Sequence, residues 1–436
     1  MNPTETKWRL LRACSALGFL AALGCQALRV GANPEVPIWV NRASGSLSLS
    51  YSREVVAETR RRSEAFERGQ PEIDWAGRRL FVGSSDNGLY AIRVEDGSTI
   101  WRFETLAFVQ SEPLYDAAED VVYFGSNDGA LYKVAARDGK LLWRFATNAE
   151  VSKRPVRLGE TLFVVNANDT VLALDRKTGE LRWSQHQTPA AGMQVAGHAG
   201  PLVWRDKVYV AYSDGTVTAY DAASGVERWQ PVDLAAEAEQ TLGDVPKYLD
   251  ADTTPVAGEL EAGPVVFVGS YEGGVFALDA ETGTPVWSNP AVAGVSELLL
   301  WQQPAHPRRS GRGPERPARS LLIAGTGTTG LWALDPESGR EVWRRTLPSG
   351  GVSAPVPMLG ALMVSATRLG VFLLNPLDGR LMDGVHTGEG VSGTPAVHGR
   401  RAYVVTDGGR LLSFLASPPA VAAEAIDGGA LSALPL

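Results

Sequence analysis

The chain has 436 residues, 44% of them hydrophobic, and a formal net charge of −8. An acidic chain is a poor non-specific ligand for nucleic acid, because it repels the phosphate backbone. The two cysteines, Cys14 and Cys25, fall in the first 25 residues. Beyond them no disulfide, cysteine-ligated metal or thiol chemistry can be written, so the rest of the chain must hold together by its core, for which it is long enough.

The N-terminus reads as a signal peptide. Lys7, Arg9 and Arg12 precede an apolar stretch over residues 10–23, too short for a permanent membrane span. Ala22-Leu23-Gly24-Cys25 resembles a bacterial lipobox, which predicts cleavage after residue 24, lipidation of Cys25 and a lipidated linker over 25–35. Loss of residues 1–24 removes three basic charges and one acidic charge, so the mature chain carries about −8 − 2 = −10. Gln26, where Asp commonly retains lipoproteins in the inner membrane, favours the outer membrane.

Next come an isolated strand, Val36-Pro37-Ile38-Trp39-Val40, a Ser-rich stretch over residues 44–51, and a charged segment over 52–68 with helical character. The run Arg60-Arg61-Arg62 in that segment reads as a solvated face. From residue 70 onward the chain repeats with a period of about 40 residues, the mark of a propeller or a solenoid. Ser213 to Trp229 shows the unit: a turn, a short alternating strand, a Gly-bearing turn and a Trp. Gly stands four residues before Trp101, Trp143, Trp183, Trp229, Trp287 and Trp343. One large aromatic per unit at one fixed place reads as packing between units.

Two further strands precede each such hairpin, which makes four strands per unit and one propeller blade per repeat. Counting first turns (Gly88, Gly129, Thr170, Gly215, Gly274, Gly330, Gly370 and Gly409) gives eight blades. The seventh has Asp383 in place of Trp, and the eighth lacks its last strand. The fold expected is therefore all-β: an eight-bladed propeller over residues 36–416 with four-stranded antiparallel blades. An N-terminal strand would close the last blade, and the strand around Trp39 is the one expected to do so, since closure removes two free sheet edges. Two inserts interrupt the period, residues 230–255 and the Arg-rich 302–320, the latter read as a flexible loop within blade six. Residues 417–436 are expected to form a disordered tail.

Several motifs dissolve in context. Gly325 to Gly330 matches G-x-G-x-x-G, but a strand follows where a dinucleotide fingerprint needs a helix, so it reads as a hairpin turn. Asp250 and Asp252 match the D-x-D-x-T of aspartyl phosphatases without the apolar strand that would deliver the nucleophile. None of His186, His198, His306, His386 and His398 pairs at metal-ligand spacing, and they read mostly as loop or surface residues. No cofactor or metal is expected.

The repeats end in A-[LY]-D-x-x-[ST]-G-x-x-x-W, clearest from Ala173 to Trp183, Ala219 to Trp229, Ala277 to Trp287 and Ala333 to Trp343. This resembles the repeat of the pyrroloquinoline-quinone (PQQ) propellers. One branch, the quinoprotein dehydrogenases, implies PQQ, calcium, a catalytic Asp and a vicinal Cys pair. The chain has no such pair, and no calcium-ligand set can be placed on it. The other branch is the outer-membrane assembly factors of the BamB family, whose acidic D-x-D-x-T-P segment resembles residues 249–256 and whose fourth blade resembles residues 211–229. That resemblance implies a non-enzymatic lipoprotein scaffold on the periplasmic face of the outer membrane. It would assist insertion of β-barrel proteins by docking a POTRA-containing assembly protein. The implied contact residues are Asp250 and Asp252, with Met193 and Val195 in the loop before blade four. The family's Arg in that loop falls at Ala196. The alternative is a ligand-binding or sensory propeller of the envelope with another partner.

Overall fold

The computed structural model describes residues 46–56, 67–189, 198–242, 248, 250–305, 317–346 and 350–417. These form eight four-stranded antiparallel sheets arranged as a propeller ring. Blade one runs from its inner strand Glu72–Asp74 through Arg79–Ser84 and Gly88–Arg93 to its outer strand Thr99–Glu104, and the following blades repeat that order. One face of the ring carries the turns that join inner to second and third to outer strands; it is called here the turn face. The opposite face carries the second-to-third turns and the crossings between blades, and is the connection face.

The two middle strands of a blade have neighbouring blades on both sides. They are accordingly buried and largely apolar: Val121–Ser126 and Thr161–Asn166 are buried at every residue. Outer strands such as Leu141–Ala146 and Leu181–His186 alternate between exposed and half-buried positions along most of their length.

The Trp of one blade latches the next. Its indole lies under the third-to-outer turn of the following blade, and Nε1 donates to a carbonyl three residues before that turn's Gly. Trp101 bonds Ala136 at 2.9 Å, Trp143 Arg176 at 3.2 Å, Trp183 Ala222 at 3.1 Å, Trp287 Pro336 at 3.0 Å and Trp343 Pro376 at 2.8 Å. The Gly is required twice over. At Gly339 φ is +69°, and a Cβ would stand 2.4 Å from Trp287 Cε3.

Blade four departs from this pattern. Its outer strand is only Val232–Asp233, and Trp229 precedes it. The Trp229 ring still sits under Gly283. Its Nε1 has no partner among the described residues; the expected carbonyl, Ala280, accepts from Tyr209 Oη at 3.0 Å.

The ring closes through Leu47–Glu54, which pairs with Arg410–Ala416 in register from Leu47 opposite Ala416 to Glu54 opposite Arg410. An N-terminal strand thus closes blade eight, but it is not the one around Trp39, which lies outside the described residues. The stretch read as Ser-rich and weakly patterned, together with the start of the segment read as helical, is this strand. The aromatic that closure needs is a tyrosine. Tyr51 faces Ser413 where blades one, three, five and six set Trp against Ala, packs under Gly97, and donates to the Val94 carbonyl at 3.0 Å, three residues before that Gly.

This closure also accounts for Asp383. Blade eight has no third-to-outer turn, since the chain exits at Ser417 and its fourth strand enters at Ser46, the two joined by Ser417 N to Ser46 O at 2.6 Å. A Trp on blade seven would have no Gly turn to cover it, and the carbonyl in the latch position, Ala416, accepts from Arg400 Nε at 3.0 Å. Asp383, 2% exposed, instead accepts the Leu47 N–H at 2.7 Å and fixes the start of the closing strand.

Both inserts contain regular structure at their described ends. Residues 234–242 form helix α1 (Leu234–Leu242), capped by Asp233 Oδ1 accepting from Ala235 N at 2.9 Å and Ala236 N at 3.0 Å. The Arg-rich insert extends the first hairpin of blade six: Val295–Gln303 and Arg319–Thr326 run into its two ends, and residues 306–316 lie outside the described set.

Candidate functional site

The connection face over blades three to five differs from the rest of the ring. Helix α1 lies at the seam between blades four and five, where Leu234 and Ala238 join the buried cluster of Trp229, Val266 and Phe276. From there the chain returns through Asp250–Thr254 into the inner strand Val256–Leu260. That return is tightly held. Ala251 N donates to Tyr212 O at 3.2 Å and Tyr271 N to Asp250 O at 3.0 Å. Thr254 Oγ1 accepts from Gly200 N at 2.9 Å, and Thr253 Oγ1 donates to Val295 O at 3.3 Å.

The two sequence-predicted aspartates therefore differ in kind. Asp250 is 1% exposed and is part of the packing. Asp252 is only partly covered, yet its Oδ1 is buried with no hydrogen-bond partner among the described residues. Burial, and next the charge of Asp250, push its carboxyl up to about 7, with Lys153 offsetting part of the rise. Met193 and Val195 lie outside the described residues; the connection that carries them joins the outer strand of blade three to the inner strand of blade four.

Three neighbours complete the site. Asp169, in the second-to-third turn of blade three at φ +48°, accepts from Ser213 Oγ and Ser213 N, and burial raises its carboxyl. Lys153 lies 3.7 Å from Glu297. His198 is a buried loop residue. Its Nδ1 is 3.4 Å from Ser152 Oγ, its Nε2 has no partner, and burial, then Lys153, lowers it to about 4. The run Asp233-Leu234-Ala235 with Ala238 was a legible helix start, a cap followed by apolar residues four apart. Asp169, Lys153 and His198 carry no local signal, because each comes from a different connection.

Beside this segment the ring axis holds a channel of two lobes, about 300 Å³ and about 250 Å³, which share Gln70, Glu112 and Thr394. Arg154 crosses it, bonding Glu72 at 2.9 and 3.1 Å and also Glu112. Among the described residues no group of three or more His, Cys, Asp or Glu side chains is placed to hold a metal ion, and no helix is long and apolar enough to cross a membrane.

A family profile described as outer membrane protein assembly factor BamB matches residues 111–299 and 296–417. The chain belongs to the BamB family. A BamB of Legionella pneumophila (strain Paris) is 25% identical over 229 residues, covering 52% of this chain and 53% of that protein. The quinohemoprotein alcohol dehydrogenase ADH-IIG of Pseudomonas putida is 28% identical over 209 residues, covering 42% of this chain and 27% of that protein. The match thus spans about half of the first relative and about a quarter of the second. Among solved structures, BamB from Moraxella catarrhalis aligns with a TM-score of 0.64 at 18% identity, covering 85% of this chain and 99% of that one. At that identity the likeness speaks for the fold, a BamB-like PQQ-repeat propeller.

Proposed function

We propose that this chain is a non-enzymatic scaffold of the outer membrane, anchored by lipid on Cys25, that assists the assembly of β-barrel proteins. It docks a POTRA-containing core assembly protein with the connection face of blades three to five. Family membership across residues 111–417 carries this reading. Three acyl chains on a mature lipoprotein anchor firmly where one would not.

Within the docking face, Asp252 is the contact residue and Asp250 its support. Asp252 leaves a lone pair unmet in a partly desolvated place, which a Lys or Arg of the partner would satisfy with a charge-assisted hydrogen bond. Reversing the charge of Asp250 would disturb a buried residue, so the informative substitution is Asp252→Lys. Mild-detergent purification of the lipidated protein should recover a POTRA-containing barrel protein, and Asp252→Lys should lower its recovery at least tenfold while the variant still unfolds cooperatively. Full recovery with the variant removes Asp252 from the contact; recovery of a different envelope complex removes the assembly role.

The match to quinohemoprotein dehydrogenases raises a second reading, a quinone-dependent oxidoreductase. The residues present do not fit a quinone with calcium. The described set contains no metal-ligating cluster, and each lobe of the channel is at or below the lower end of ligand-pocket size, with Arg154 across it. A rise in melting temperature on adding PQQ and calcium would restore that reading.

A further inference from the structure

The chain is acidic as a whole, but one part of the turn face is not. At the seam of blades eight and one, the inner-to-second turns of both blades and the third-to-outer turn of blade one come together. Arg78 pairs with Glu95, and Arg93 lies 3.9 Å from Asp96. Arg79 holds both Asp74 and Asp120. Arg53 stands beside the same turn, where a Cβ on Gly97 would come within 2.9 Å of its own Cβ. Arg400 and Arg401 follow the first turn of blade eight, and Arg401 is paired in register with His398. Arg400 bonds only neutral groups, the Ala416 carbonyl at 3.0 Å and Ser417 Oγ at 3.3 Å. Six arginines thus meet four carboxylates, a formal excess of two positive charges. Across the ring, at the seam of blades four and five, the balance is reversed: Asp206, Glu259, Glu261 and Glu281 face Arg205 and Lys207.

Two further observations give the basic seam a direction. Trp75 is half-buried there, stacked on His398 at 4.4 Å, with the Arg78 guanidinium 5.5 Å from its ring centroid. Exposed cations attract lipid phosphates, and a Trp with one wet side suits the headgroup layer. The chain also enters the ring at this place: Ser46 is bonded to Ser417, which Arg400 holds. Cys25 is 21 residues earlier, a reach of at most about 70 Å. We propose that this seam binds anionic phospholipid headgroups of the membrane that carries the anchor. The turn face then lies toward the bilayer, and the connection face of blades three to five points away from it, open to a partner. The proposal takes the lipidated Cys25 of the docking reading as its tether.

The test uses the lipidated full chain with Ala76→Cys, whose new thiol is the single one left once Cys25 carries lipid, labelled with an environment-sensitive fluorophore. The chain is placed in vesicles of phosphatidylethanolamine and phosphatidylglycerol that carry a headgroup quencher; the same label at Asn148→Cys reports the connection face. Quenching at residue 76, absent at 148 and falling as salt rises, is the expected result. Each charge near an anionic surface is worth about fivefold, so Arg78→Glu with Arg400→Glu should abolish the quenching. Arg78→Gln with Arg400→Gln should lower it in the same direction, and Arg137→Glu with Lys177→Glu, an equal charge change elsewhere on the turn face, should leave it. Equal quenching at both labels, equal quenching in phosphatidylcholine alone, or equal loss in both charge-reversed pairs would each overturn the proposal. So would displacement by soluble glycerol phosphate at the headgroup concentration, which would show a small-anion site. Labelling of Cys25 itself would overturn the anchor, whereas a lipidated chain without quenching at residue 76 overturns the seam alone.

Discussion

Restoring the repeat residue at blade seven, Asp383→Trp, should destabilise the protein, although six other blades carry Trp at that place. The Asp383 carboxylate accepts from Leu47 N at 2.7 Å and from Gly384 N at 2.8 Å, in a position 2% exposed. Leaving the Leu47 N–H without a charged acceptor costs about 1.5–3 kcal/mol. An indole in a site built for a carboxylate adds about 1–3 kcal/mol of overpacking. Its usual return is reduced, because blade eight offers no Gly turn to cover the ring and the carbonyl in the latch position, Ala416, is held by Arg400 Nε at 3.0 Å. The sum is roughly 2.5–6 kcal/mol, offset in part by the apolar area the ring buries. Urea denaturation of the mature domain should show a lower midpoint at an unchanged slope. Asp383→Asn, which keeps an acceptor, should lose about 1 kcal/mol. A midpoint for Asp383→Trp at or above wild type would refute the reasoning, and with it the view that the seventh position is specialised for strand closure.

The ring was legible because its repeat is enforced by chemistry that recurs in sequence. Each Gly needs positive φ and must clear the aromatic ring of the preceding blade, and each Trp needs the Gly of the next blade, so both recur blade after blade and Gly-x-x-x-Trp appears in six. Closure was legible in kind but not in place. It uses Tyr51, which makes the latch contacts of a Trp from a Ser-rich strand, and the eye follows Trp39 instead. Asp383 looked like a lost residue and is a replaced one. The docking face was half legible: Asp250 and Asp252 stand in a recognisable segment, but their difference in burial depends on Tyr212, Tyr271 and Lys153, brought in from other blades. The channel was not legible at all. Glu72, Glu112, Arg154 and Glu297 come one at a time from four inner strands or their entries, and only closing the ring makes them neighbours.

The remaining latch and charge predictions follow from single contacts. Tyr51→Phe keeps the ring under Gly97 but loses the bond to Val94 O, and should cost about 1 kcal/mol by urea denaturation; no loss would mean that water or another donor replaces the hydroxyl. Tyr209→Phe should cost clearly less, because the Ala280 carbonyl it abandons can accept from Trp229 Nε1, which has no partner now; an equal loss would show that Trp229 cannot reach. Gly339→Ala must strain φ +69° and meet Trp287 at once, and a midpoint within error of wild type would contradict the latch. The last prediction concerns protons. The Asp252 carboxyl is raised to about 7, so the folded state holds its proton more tightly than the unfolded chain, and the stability linked to it is present at acid pH and lost as pH rises from about 4 through about 7. His198 is lowered to about 4, so its linked stability is present above about 6.5 and lost as pH falls toward 4. Between about pH 4 and 6.5 the two slopes oppose each other. Asp252→Asn removes one of them, so its stability relative to wild type should rise with pH over that window and level off above about 7, by a few kcal/mol in order of magnitude. A difference between variant and wild type that stays flat from pH 4 to 8 would mean that Asp252 is solvated like an ordinary surface carboxylate, and the partner contact assigned to it would lose its physical basis.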